Sequence, residues 1–326
     1  MDEFLEYYKD NNGTTSKHTL TAMKGNIKRI SKILNKNADE LELSDFKNVD
    51  NIVEEIIDTY SISTSISTIL AIISFLKYKK ADEDTVEDYK DLLNELIKER
   101  NEGNNNQELK GEELENWIEY PELRSKVEKE SEEFLSKKKS FSAYRNFLLM
   151  ALLTLQPPTR LGNYLEMVYK NKENLKNGGR GLMKTKNYIL YNNNQENPKY
   201  TFIFNKYKTA KTLGQITHEV ENSTLNKLLH KWFTDYNVKK KNFLVNSNGA
   251  LTTQTGITNG LESISTKLFN KKLTGNSFRH IFITHFLSQN PSIKQKQETL
   301  KLVGQNYKPS QAEKYARMKE ETKDEN

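Results

Sequence analysis

Three side chains in the last fifty residues have the types that phosphate chemistry needs. Arg279 lies in Thr274-Gly-Asn-Ser-Phe-Arg279-His280-Ile-Phe-Ile-Thr-His285-Phe-Leu287. There Phe278, Ile281, Phe282, His285 and Phe286 recur at helical spacing, and Thr274 or Asn276 can cap the helix. An arginine held at such a helix start offers a planar, permanently charged fork that matches phosphate oxygens. Gly304-Gln305 follows, and then Tyr315 in Gln311-Ala-Glu-Lys-Tyr315-Ala-Arg317, a short polar helix begun after Pro309. A tyrosine flanked by lysine has no obvious core to fill there, and it can act as a nucleophile. Taken singly, an arginine at a helix start is an ordinary surface ion pair, and a tyrosine in a terminal helix is a docking residue. Their order and spacing make the set informative.

A second arginine sits at a turn. Phe141–Leu155 is the most apolar helix of the chain, and Gln156-Pro157-Pro158 stops it. Thr159-Arg160-Leu-Gly-Asn163-Tyr164-Leu-Glu166-Met167 reads as the start of another helix, where Arg160 alone would be a capping ion pair with Glu166. Three strands are expected next: Asn187–Tyr191, Lys199–Lys208 with Tyr200, Phe202 and Phe204 on one face, and Gly214–Val220. Thr209–Gly214 makes a hairpin whose tip carries Lys206, Lys208 and Lys211. Lysines also guard edge hairpins against stray pairing, and the sequence does not set the register. Helices over Ser223–Tyr236 and Thr253–Phe269 complete the framework.

This arrangement resembles the tyrosine recombinases, the phage integrase family. There a His-x-x-Arg motif opens a buried helix, a Gly-His pair follows, and the nucleophilic Tyr comes after a short spacer. Arg279, Gly304 and Tyr315 match; Asn276 stands in place of the first His and Gln305 in place of the second. The family's first catalytic Arg follows a buried helix, as Arg160 does. An acidic residue three positions later is usual, and here it is Asn163. The Pro-Pro-x-Arg form resembles members from large DNA viruses, their virophages and some phages. The family's hairpin lysine, which enters the minor groove and protonates the leaving oxygen, matches Lys208 first and Lys211 close behind. His280 follows Arg279 as it often does in the family and is expected to brace the site.

The resemblance implies a fold that is mainly α with a small antiparallel β-sheet. It implies an N-terminal helical core-binding domain and a C-terminal catalytic domain. It further implies site-specific cutting and rejoining of double-stranded DNA through a 3′-phosphotyrosyl link, in a tetramer on DNA, with no cofactor and no metal. Integration of a viral genome or mobile element is the biological form expected. A type IB topoisomerase, or a catalytically impaired relic that only binds DNA, remains an alternative reading.

The remaining sequence fits a nucleic-acid partner. Of 326 residues with net charge +6, residues 1–100 hold 14 basic and 20 acidic side chains, and residues 141–326 hold 29 and 13. A half that basic suggests a polyanion, although a lysine-rich solubilising surface gives the same count. Lys24, Lys28, Lys32 and Lys36 recur every four residues in a helix over Ser16–Asn35, with no acid from Lys17 to Asn37. That stripe is a candidate phosphate-tracking surface. With further helices over Val49–Tyr60, Ser63–Tyr78 and Asp84–Arg100, it makes an all-α domain. The expected division is a tail at 1–13, frayed or forming a short helix that ends in Asn11-Asn12-Gly13, a helical domain at 14–100, a polar linker at 101–112 and a catalytic domain at 113–326.

Other classes are excluded or unsupported. Cysteine is absent, which removes disulfides, thiol nucleophiles and cysteine zinc sites. No two of the five histidines have zinc-ligand spacing with further ligands. No glycine-rich phosphate loop is present. No run reaches the roughly 18 apolar residues of a membrane span, and Met1-Asp-Glu-Phe-Leu-Glu lacks a signal-peptide core. A reducing intracellular setting without secretion is therefore expected.

Overall fold

Helical periodicity in the first hundred residues becomes a bundle. The computed structural model describes residues 1–13, 15–105, 109, 111–172, 182–192, 197–236, 238, 242–305 and 316. The chain divides into two compact units, Met1–Asn106 and Gln107–Asn326. The first holds α1 (Asp2–Asn11), α2 (Lys17–Ile33), α3 (Val49–Thr59), α4 (Ile62–Lys79) and α5 (Glu83–Asn105). Ser16 caps α2 by accepting the Thr19 N–H at 3.1 Å. Its stripe of Met23, Ile27 and Ile30 is buried against α4, the central helix of the unit.

Residues 1–13 take the helical form of the two expected: α1 packs on α4, and Phe4, 2 % exposed, inserts beside Phe75 and Tyr78. The polar stretch expected to link two domains is partly structured. Helix α5 continues to Asn105, and Leu109 is buried in the core of the second unit.

The second unit runs α6 (Gly111–Glu115), α7 (Tyr120–Ser136), α8 (Phe141–Thr154), β1 (Val168–Asn171), β2 (Tyr188–Tyr191), β3 (Tyr200–Phe204), α9 (Ala210–Leu213), β4 (Ile216–Glu219), α10 (Ser223–Asp235), α11 (Gln254–Phe269), α12 (Gly275–Ser288) and α13 (Ile293–Leu302). Helix α8 is its centre. Every residue from Phe147 to Leu153 is essentially inaccessible, and α7, α10, α11 and α12 pack around it. Helices hydrophobic all round are buried in this way. Among the described residues no helix is long and apolar enough to cross a membrane.

The sheet is small, as expected, but mixed rather than antiparallel. Its order is β1-β2-β3-β4, with β1 parallel to β2 and the other neighbours antiparallel. The long connection over 172–187 makes the parallel pair possible, because parallel neighbours need a crossover of about a dozen residues or more. Strand β1 replaces the helix expected after Arg160. The backbone makes only a 3-10 turn over Leu161–Tyr164, and Glu166 then takes φ 55°, which breaks helical continuation. Tyr200, Phe202 and Phe204 face the main core, as their alternation predicts, while Tyr188, Leu190 and Ile203 form a small cluster on the other face.

Strand β4 carries a buried histidine. His218 sits opposite Phe202, and burial pushes its pKa down from 6.5 to about 4. Between those values the unfolded chain binds the proton and the folded chain does not. Stability is therefore full above about 6.5 and lost as pH falls toward 4, by on the order of 3 kcal/mol. Urea unfolding of wild type and His218→Leu at pH 7 and pH 4 tests this. The wild-type midpoint should fall further than that of the variant, and parallel falls would show that His218 carries none of the dependence.

Candidate active site

The chain leaves α8 at Leu155, and Pro157 and Pro158 prevent the helix from continuing. Arg160 then opens the 3-10 turn. Its Nη1 donates to the Gly304 carbonyl oxygen at 3.2 Å. The Thr209 hydroxyl donates to the same oxygen at 2.8 Å. One carbonyl therefore gathers the turn after α8, the connection between β3 and β4, and the end of α13. The ion pair of Arg160 with Glu166 that the sequence allows does not form among the described residues. Glu166 instead meets Lys206 at 3.7 Å, with both side chains about 70 % exposed, a pair that contributes little.

Gly304 can offer that carbonyl because of how α13 ends. The Gly304 N–H donates to Lys301 O at 2.9 Å and the Gln305 N–H to Leu300 O at 2.8 Å. This is a Schellman turn with Gly304 in the left-handed position, at φ 76°. A Cβ there would also approach Arg160 Nη1, Thr159 Oγ1 and Tyr207 Cδ2 at 3.7–3.9 Å. Gln305 is 8 % exposed, and its side-chain Nε2 has no hydrogen-bond partner among the described residues. A buried amide donor of that kind calls for an explanation, and an anionic oxygen would satisfy it.

Helix α12 meets the same region. A Cβ on Gly275 would lie 3.3 Å from Leu161 Cβ, so the first turn of α12 abuts the turn that Arg160 opens. Arg279 is one helical turn further along the face of Gly275 and is 2 % exposed. That burial excludes an ordinary surface ion pair. Thr274 caps the helix, accepting the Ser277 N–H at 3.2 Å. Asn276 and His280 lie on an adjacent face. Asn276 is exposed, and both line an open groove with Glu112, Glu113 and Trp117 whose walls include neither Arg160 nor Gly304.

The polar neighbours of Arg160 include Asn163, which the motif marks, and Asn187, which sequence reasoning did not single out. Asn163, 6 % exposed, donates from Nδ2 to Thr159 Oγ1 at 2.6 Å. Asn187, just before β2, bonds both the Asn163 carbonyl and the backbone of Asn205 and Lys206. Only a faint signal marks Asn187 in the sequence: a short polar side chain at a strand start. Asn187 also explains why β3 stops at Phe204 instead of reaching Lys208. Its side-chain oxygen takes the N–H groups of Asn205 and Lys206 away from the ladder. Lys206, Lys208 and Lys211 are exposed on the connection over 205–215, which joins the antiparallel strands β3 and β4 and contains the one-turn α9.

Tyr315 and Arg317 lie outside the described residues. Tyr207 lies beside Gly304, but its hydroxyl donates to Gly214 O at 2.5 Å and burial raises its pKa, so it is ill suited to attack. In the first unit, Lys24, Lys28 and Lys32 are exposed on α2 and form no ion pair among the described residues. Lys36 departs from the expected stripe. It lies beyond the helix end and pairs with Asp45 at 2.5 Å, which neutralises its charge locally.

No protein-family model matches the chain, and no curated protein matches it. Two solved structures show low likeness. One is the crystal structure of XerA recombinase, 14 % identical, covering 97 % of this chain and 92 % of that one at a TM-score of 0.39. The other is the pre-cleavage complex of XerH site-specific recombinase bound to difH substrate, 12 % identical, covering 97 % and 90 % at a TM-score of 0.42. Likeness at this level assigns no activity to the chain.

The left-handed turn at Gly304 is testable by substitution. Gly304→Ala should lower stability by about 1–2 kcal/mol, the cost of a Cβ in that backbone region. Gly304→Asn should cost less, because Asn tolerates it. Urea unfolding reads both, and equal losses would contradict the turn geometry.

Proposed function

We propose that the protein is a site-specific DNA recombinase that cuts and rejoins strands through a covalent tyrosyl intermediate. The observation that carries this reading is the convergence on the Gly304 carbonyl. It draws Arg160, the lysine-bearing connection and Gly304-Gln305 into one polar cluster. These segments are far apart in sequence, and their shared chemistry is recognition of a phosphate.

In this reading the Tyr315 hydroxyl attacks a phosphodiester, the bond to the 5′ oxygen breaks, and a 3′-phosphotyrosyl link and a 5′-hydroxyl result. The link conserves the bond energy, so rejoining needs no nucleotide. Charge grows on the non-bridging oxygens, where Arg160 and Arg279 stabilise it, aided by the open Gln305 amide. Lys208 or Lys211 protonates the leaving oxygen. Asn276 and Gln305 do not exchange protons near neutral pH, so attack relies on the arginines more than on a strong base. Lys24, Lys28 and Lys32 of the first unit add backbone contacts to duplex DNA. Exchange between two duplexes takes four protomers, and integration of a viral or mobile element is the corresponding biological setting.

A nicked suicide duplex, whose released fragment diffuses away, tests the reading. Wild type should accumulate a covalent adduct on its target site. Tyr315→Phe should lose the adduct and keep DNA affinity. Arg160→Ala and Arg279→Ala should slow its formation by roughly 10²–10³, and Gln305→His should leave it intact or faster. An adduct that survives in Tyr315→Phe refutes the nucleophile. No adduct on a verified site favours a DNA-binding relic, and relaxation of any supercoiled plasmid without joint products favours a topoisomerase.

Binding has its own test. Affinity for duplex DNA should fall steeply with salt, because each neutralised phosphate releases counterions. Lys24→Ala, Lys28→Ala and Lys32→Ala should each flatten the slope, whereas Lys36→Ala should leave it nearly unchanged. A salt-independent affinity would remove the electrostatic interface.

A further inference from the structure

We propose that Asn187 is a positioning residue for the proton given to the leaving oxygen, an assignment that rests on the strand-cleavage reading above. Asn187 is 6 % exposed and uses both ends of its side chain. Nδ2 donates to Asn163 O at 2.9 Å and to Lys206 O at 3.0 Å. Oδ1 accepts the N–H groups of Asn205 at 2.9 Å and Lys206 at 2.8 Å. The first of these bonds holds the turn that Arg160 opens. The other three hold the start of the connection that carries the lysines.

A second anchor lies just downstream. Thr209 closes on the Gly304 carbonyl, the same oxygen that Arg160 binds. Lys208 is thus suspended between two fixed points, and each is tied to the Arg160 turn. Its own side chain is exposed. Its reach toward a phosphate gripped by Arg160 is set by the backbone, and Asn187 fixes that backbone. A buried amide satisfied by four backbone groups at these distances has little freedom to relax. Strand β3 gains nothing from the arrangement, because Asn187 captures the two N–H groups that would have extended the ladder.

The chemistry gives a readout that separates positioning from simple stability. In cleavage the tyrosine hydroxyl gives its proton to solvent, its oxygen bonds to phosphorus, and the bond to the 5′ oxygen breaks. The leaving oxygen takes a proton from a lysine ammonium and becomes a hydroxyl, and the lysine is left neutral. When sulfur replaces the 5′ bridging oxygen, it leaves as a stable thiolate and needs no proton. A misplaced lysine therefore slows cleavage of the oxygen substrate and spares the sulfur substrate.

The experiment uses the full chain and paired suicide duplexes that differ only in that bridging atom. Asn187→Asp keeps the size and the acceptor but lacks both N–H donors, and Asn187→Ala lacks every bond. Both variants should form adduct about 10²-fold more slowly on the oxygen substrate and close to the wild-type rate on the sulfur substrate. Lys208→Ala or Lys211→Ala, whichever lysine carries the proton, should show the same pattern. The sulfur rate also certifies that the variant is folded. Equal slowing on both substrates by Asn187→Asp, or slowing on neither, overturns the proposal. Absence of adduct with wild type on both substrates instead removes the strand-cleavage reading, and this assignment with it.

Discussion

The second unit depends on one carbonyl oxygen, that of Gly304. Its two hydrogen bonds span 144 residues to Arg160 and 95 residues to Thr209. The bond from the guanidinium belongs to the charge-assisted class, worth roughly 1.5–3 kcal/mol, and the hydroxyl bond is of the ordinary kind. Neither could form if α13 continued. A helical residue at 304 would point its carbonyl along the helix axis, toward the following turn. The left-handed glycine reverses the chain, satisfies the last carbonyls of α13 internally, and turns its own carbonyl toward Arg160. The helix stop and the gathering of the site are thus one event.

Such a junction needs rigid supports, because a hydrogen bond weakens steeply with misalignment. Helix α8 provides the first. The burial of its second half, Phe147–Thr154, fixes where Gln156-Pro157-Pro158 begins, and therefore where Arg160 emerges. Helix α12 provides the second, with Gly275 allowing its first turn to meet Leu161 closely. The sheet provides the third. Strand β4 packs against α13, so the strand that ends the lysine connection and the helix that ends in Gly304 move together.

The legible parts of this unit were those with local signals. Thr274, one of two caps the sequence offers, caps α12 where its apolar periodicity begins, and Ser140 and Thr253 cap α8 and α11 in the same way. Strand β1 was illegible because its residues are all half-buried and show no alternation. Its existence follows from Glu166 taking a left-handed backbone, which no side chain nearby announces. The early end of β3 was equally hidden, since the residue that ends it, Asn187, lies outside it, just before β2. Arg160 and Gly304 could be singled out by spacing, but only tertiary contact joins them. Asn276 precedes Arg279 by three residues on α12, which makes the two neighbours along the helix, but Asn276 is exposed where Arg279 is buried.

The polar scaffold around Arg160 is built largely from amides and hydroxyls. Asn163, Asn187, Thr159 and Thr209 are neutral, and each amide offers donors and an acceptor at once. A carboxylate at position 163 would have cancelled part of the arginine charge, and burying it would have required a paired cation to offset desolvation. With Asn163 the turn keeps its hydrogen bond to Thr159 while Arg160 retains its full positive field. The same holds for Gln305, a buried donor without charge. A cluster of this composition keeps one strong positive charge and surrounds it with neutral hydrogen-bonding groups. Its geometry is then insensitive to pH near neutrality, since none of these groups titrates there.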